Sequence, residues 1–99
     1  MRDHTMDILE NEIQNILVEW DPLGDDKWKI EDLDNYEIEA IDISSSLYIE
    51  NIRSEKACIG LVRDIITHAF NIEVSPEELG KYGQRIWQIY LKMKGLKNK

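Results

Sequence analysis

Asn35-Tyr36-Glu37-Ile38-Glu39-Ala40-Ile41-Asp42-Ile43-Ser44-Ser45-Ser46-Leu47-Tyr48-Ile49 is the stretch on which the fold turns. Read at the helical period, Tyr36, Ala40, Ile43 and Leu47 form one stripe, whereas Ile41, Ile43, Leu47 and Ile49 fit the alternation of a half-buried strand. The serine triplet 44–46 adds poor helix formers to the ambiguity. A strand needs partners, because a lone strand or hairpin is marginal in water. No other segment of the chain reads as a strand, so 35–49 is expected to be a helix, begun by Asp34 or Asn35 as the cap. The whole chain is then expected to be all-α.

Working toward the N-terminus, residues 21–34 read as a long acidic connection. Connections of this length are usually functional or mobile; Trp28 and Leu33 are expected to pin this one to the body. Before it, Met6, Leu9, Ile13, Ile16, Leu17 and Trp20 recur at three- and four-residue spacing, the face of a first helix from about Asp3 to Trp20. Asp21-Pro22 ends it, since a residue before proline is pushed out of the α region and proline lacks the amide for the next bond. Trp20, Asp21, Pro22 and Gly24 together form a structural turn: Trp20 covers the end of the core, Asp21 is expected to bond free backbone amides, Pro22 fixes the exit direction and Gly24 permits it.

Toward the C-terminus, Ser54 (or Asn51) caps a third helix whose wide stripe is Cys58, Leu61, Val62, Ile65, Ile66, Ala69 and Phe70, with Asn71 at its end. Ser75-Pro76-Glu77-Glu78 opens a fourth with a cap serine, proline at the first helical position and Glu three residues after the cap. Its stripe is Leu79, Tyr82, Ile86, Ile89, Tyr90 and Met93. Gly80 and Gly83 within it are expected to admit a neighbouring helix closely, and Gly95 is expected to stop it before a short basic tail, 95–99. The expectation is one domain over 1–99, a compact up-and-down bundle of about four helices.

Composition narrows the function classes. Of 99 residues, 42% are hydrophobic and 32% charged, too apolar for a disordered chain. Residues 1–50 carry 15 acidic and 3 basic side chains, a balance of −12, while 51–99 carry 5 and 9, a balance of +4. An acidic half repels nucleic acid and anionic membranes and attracts basic partners. The lysines and arginines of the fourth helix are opposed by the rest of the molecule, so no nucleic-acid partner is expected. No run of 18 apolar residues spans a membrane, and Met1-Arg2-Asp3-His4-Thr5 lacks the apolar core of a signal peptide, so the cytoplasm is the expected compartment.

Chemistry-bearing patterns are sparse. His4 and His68 are far apart in sequence, and Asp21, Asp25 and Asp26 lack the order of a calcium loop. The serines stand in no nucleophile elbow and the glycines in no phosphate loop. Cys58 is a lone thiol in an apolar run, expected in the core. No catalytic residue, metal or cofactor is expected. The acidic face of 21–34 is the candidate site for a basic protein, with Asp21, Asp25, Asp26, Trp28, Glu31, Asp32 and Asp34 as partner-binding residues. The comparison by charge and size is with immunity proteins and antitoxins. The alternatives are a homodimer, formed as acidic and basic halves meet, and a small-ligand binder.

The string Glu19-Trp20-Asp21-Pro22-Leu23-Gly24, closing an amphipathic helix, resembles the small bacterial family known as domain of unknown function 1871. Its members are compact four-helix proteins with an E-W-D-P-[LI]-G turn after the first helix and a Tyr-x-x-E second helix. Tyr36-Glu37-Ile38-Glu39 and the Glu55-Lys56 start of the third helix are similar. The resemblance covers about residues 8–94, and its specific part is the Trp-Asp-Pro turn. The chain departs from the pattern in its longer acidic segment 25–34 and its longer basic C-terminus. The family has no assigned activity, so the resemblance implies a fold and no function.

Overall fold

Leu9, Ile13, Ile16, Leu17 and Trp20 are all buried on one face of α1, His4–Trp20. The computed structural model describes residues 4–30 and 33–97, without the side chains of Asp26, Lys29, Leu96 and Lys97. Asp21 closes α1 in the left-handed region at φ 52°, its amide donating to the Leu17 carbonyl at 2.7 Å, a common helix ending. The turn then folds back, with the Gly24 amide bonding the Asp21 carbonyl at 2.9 Å. Gly24 takes φ 55°, where a side chain would be strained.

The segment after this turn corrects the picture of one long loop. Gly24–Lys29 is a 3-10 helix and Asp34–Tyr36 a second, short one. Leu33 packs against the core as expected, but Trp28 is 77% exposed and does not pin the segment down. The stretch that decided the fold is helical: α2 runs Glu37–Ile49. It starts two residues later than expected, and neither Asp34 nor Asn35 caps it. Asp34, Asn35 and Tyr36 instead take φ of 48°, 55° and 64°, one turn of left-handed backbone. The stripe Tyr36, Ala40, Ile43 and Leu47 is fully inside, with Ser44 beside it donating its hydroxyl to the Ala40 carbonyl at 2.8 Å.

α3, Glu55–Phe70, begins at Ser54, whose hydroxyl accepts the Ala57 amide at 3.1 Å, and ends on Asn71 at φ 54°. Ala69 stands at the exposed edge of its stripe. α4, Pro76–Lys97, begins at Ser75, whose hydroxyl accepts the Glu78 amide at 3.4 Å. Gly95 does not stop it; a lone glycine costs a helix only about 1 kcal/mol, and the helix continues through two more residues. Residues 98 and 99 of the expected tail lie outside the described residues. The two internal glycines differ. A Cβ on Gly83 would stand 2.8 Å from Ile59 Cγ1 of α3, the expected close approach, whereas one on Gly80 would meet nothing within 4 Å.

α1 packs on α2 and α4, and α3 packs on α2 and α4, so the four helices close a ring in chain order. Five-residue connections, 50–54 and 71–75, join α2 to α3 and α3 to α4, as in an up-and-down bundle. Across one diagonal, the Tyr90 hydroxyl of α4 donates to the Leu47 carbonyl of α2 at 3.3 Å, and the Tyr90 ring meets Tyr48 edge-on at 5.2 Å. Each Leu or Ile sealed in this core contributes roughly 1.5–3 kcal/mol. No strand occurs among the described residues. Cys58 is fully buried, and burial pushes its thiol pKa up to about 12.

Candidate functional site

The expected partner-binding residues divide into those that hold the segment and those that it presents. Asp21 belongs to the first group. Its carboxylate accepts the Tyr36 hydroxyl at 2.6 Å and lies 3.5 Å from Lys27 Nζ. This corrects the expectation that Asp21 bonds backbone amides. The amide of Leu23 donates to the Tyr36 oxygen at 3.2 Å, so the tyrosine joins the turn to the base of α2 from both sides. Burial raises the Tyr36 pKa, and the bond to Asp21 raises it further. The Tyr36 ring is held edge-on by Phe70 at 6.0 Å. Left-handed backbone costs an L-residue roughly 1–2 kcal/mol, and Asp and Asn are the residues that tolerate it. Tyr36 is not, and it keeps that conformation because ring and hydroxyl are both fixed by the body.

Trp20 covers the end of the core as expected, 6% exposed, and its ring stacks on Tyr82 of α4 at 5.4 Å. Lys81 and Arg85 lie over the Tyr82 ring at 5.0 and 5.7 Å. The Arg85 guanidinium also forks onto the Glu19 carboxylate of α1, and this bond holds the Glu19 pKa below its usual value. The acidic and basic halves thus meet within the molecule, beside the turn.

Asp25 and Trp28 belong to the second group. Both stand exposed on the segment Gly24–Lys29. Asp26 has its backbone in the same 3-10 turn, and its side chain is outside the described set. Glu31 and Asp32 lie outside the described residues. Asp34 is exposed on the left-handed turn, and its carboxyl beside Glu37 raises the Glu37 pKa. The structure therefore places Asp25 and Trp28 together, turns Asp21 inward, and sets Asp34 against α2. Sequence reading missed Tyr36 as the bridge; its place on the apolar stripe signalled a buried ring and gave no sign of where the hydroxyl goes.

Among the described residues, no group of three or more His, Cys, Asp or Glu is placed to hold a metal ion, and no helix is long and apolar enough to cross a membrane. Fold and charge define an all-α four-helix domain with an acidic first half. Compared with protein-family models, curated proteins and solved structures, the chain matches none of them.

Proposed function

We propose that this chain is a non-catalytic protein-binding module that presents its acidic first half, chiefly segment 21–34, to a basic protein partner, as an immunity protein or antitoxin does. The observation that carries the reading is Trp28, 77% exposed on a short 3-10 turn that also exposes Asp25. Tryptophan supplies large contact area and is enriched among the residues that dominate interfaces. Its ring face also attracts Lys and Arg cations. The Asp21–Tyr36–Leu23 bonds support the reading further, because they fix the base of the segment and lower the entropy lost when it is ordered on a partner. Kinship with the 1871 family is proposed on the Trp-Asp-Pro-Leu-Gly turn, which mounts this segment.

Affinity capture with the tagged chain from its native cells, at low and at high salt, is the experiment. The expected outcome is one basic protein retained at low salt and lost at high salt. Trp28→Ala is expected to weaken its binding by about 2 kcal/mol, as at a binding hot spot. Asp25→Lys is expected to slow association and flatten its salt dependence. Retention by both variants at parent affinity and rate removes this segment as the site.

A further inference from the structure

A second face, sharing no residue with the Trp28 segment, has the chemistry of a receptor. Between α2 and α3 runs an open groove of about 390 Å³, lined by Asp42, Asp64, Ile65, His68 and Ala69. That volume falls within the range of ligand clefts, about 300–1,000 Å³. Its lining is apolar where Ile65 and Ala69 lie and carboxylate at Asp42 and Asp64, and it contains no Lys or Arg. Another hollow of similar size, at the α3–α4 connection, is lined by both Arg63 and Glu73 and so offers no single charge.

The two carboxylates differ in how far they are already compensated. Asp64 is paired with its neighbour Arg63, and both guanidinium bonds, each 3.2 Å, land on the same oxygen, Oδ1. Asp42 is exposed and has no ion pair among the described residues. One turn before it on α2 is Glu39, 7% exposed, whose Oε1 has no hydrogen-bond partner. Burial raises the Glu39 pKa, and the nearby Asp42 charge raises it further. This flank of α2 therefore presents the Asp42 carboxylate with no ion pair among the described residues. Ile38, four residues before Asp42 on the same helix, is 53% exposed.

We propose that the α2/α3 groove is a docking site for a lysine-bearing amphipathic helix of another protein, whose lysines reach Asp42 and Asp64 while their aliphatic stems and apolar neighbours lie on Ile65 and Ala69. Lysine suits such a groove because its stem buries along apolar surface while the ammonium stays at the rim. A helix laid in a groove between two helices is a recurring mode of recognition. Charge excludes a symmetric pairing of two copies through this face, since each would bring the same uncompensated carboxylate; a copy docked through the lysines of α4 would show as self-association of the chain alone and would overturn the proposal.

The test uses the full chain, isotope-labelled for NMR, titrated with a synthetic helical peptide of leucine and lysine and, separately, with the same peptide carrying glutamate for lysine. The expected result is amide shifts at Asp42, Asp64, Ile65 and Ala69 with the lysine peptide and none with the glutamate peptide. Exposed ion pairs contribute about 0.2–1 kcal/mol each. The pair of substitutions Asp42→Asn and Asp64→Asn should thus weaken binding about two- to thirtyfold. Arg63→Gln removes the competing guanidinium and should strengthen it. Trp28→Ala should leave it unchanged, which separates this site from the acidic segment. Shifts that gather at residues 24–29, binding of the glutamate peptide, or unaltered affinity in the Asn variants would each overturn the proposal, as would no shifts at all.

Discussion

Tyr36 and Glu39 lie three residues apart at the start of α2, and both are buried polar groups with opposite outcomes. The Tyr36 hydroxyl is satisfied twice, by Asp21 and by the Leu23 amide. Tyr36→Phe keeps the ring against Phe70 but leaves those two groups without it. Bonds to charged groups are worth about 1.5–3 kcal/mol, so the midpoint of urea unfolding is expected to fall by that loss with an unchanged slope. Glu39 is the reverse case, a carboxyl raised above its ordinary 4.5 by burial and by Asp42. The folded state holds that proton more tightly than the unfolded chain does, so stability present at lower pH is lost as pH rises from about 4.5 through the raised value. Glu39→Gln removes this loss. Unfolding at pH 7 should show a more stable variant, and the advantage should vanish below the ordinary carboxyl value. A constant difference at both pH values would mean that packing, and not ionisation, sets the effect.

At the scale of elements, the two glycines of α4 give a paired prediction. In a helix interior Gly costs roughly 0.5–1 kcal/mol relative to Ala. Gly80→Ala adds a methyl that meets nothing within 4 Å, and is expected to raise stability by about that amount. Gly83→Ala drives a methyl to 2.8 Å from Ile59 Cγ1, and overpacking of this kind costs about 1–3 kcal/mol. Thermal unfolding of the two variants should move in opposite directions. The sequence offered two glycines three residues apart and could not separate them, because the difference lies in where α3 crosses. The start of α2 has the same lesson. Asp34 and Asn35 have the side chains of helix caps, yet the buried ring of Tyr36 fixes the backbone left-handed and moves the start to Glu37.

For the whole molecule, the ring of four helices leaves Cys58 with no exposed surface and a thiol pKa pushed up to about 12. The thiolate is the reactive form, so a thiol reagent should modify Cys58 only through opening of the bundle. Its labelling rate should rise with urea in step with global unfolding; fast labelling at zero denaturant would mean that α3 opens locally. The acidic and basic halves, legible as a split in charge, meet inside one molecule where Arg85 forks onto Glu19. That bridge is exposed and should be sensitive to salt.

The all-α class, the stripes of α1, α2 and α4, the serine caps of α3 and α4 and the buried cysteine were legible in the residues alone, because each rests on local periodicity or on a side chain bonding its own backbone. Asp25 and Trp28 could be named as candidates from a charged aromatic segment near a Pro-Gly turn, but their exposure could not. Tertiary structure alone decided that Trp28 points outward, that Asp21 is held by a tyrosine 15 residues on, that Gly83 and not Gly80 receives a neighbour, and that Asp42 and Asp64 border one groove. Each of these depends on which surfaces of separate helices meet, and that is set by how four apolar stripes pack together and not by the pattern of any one of them.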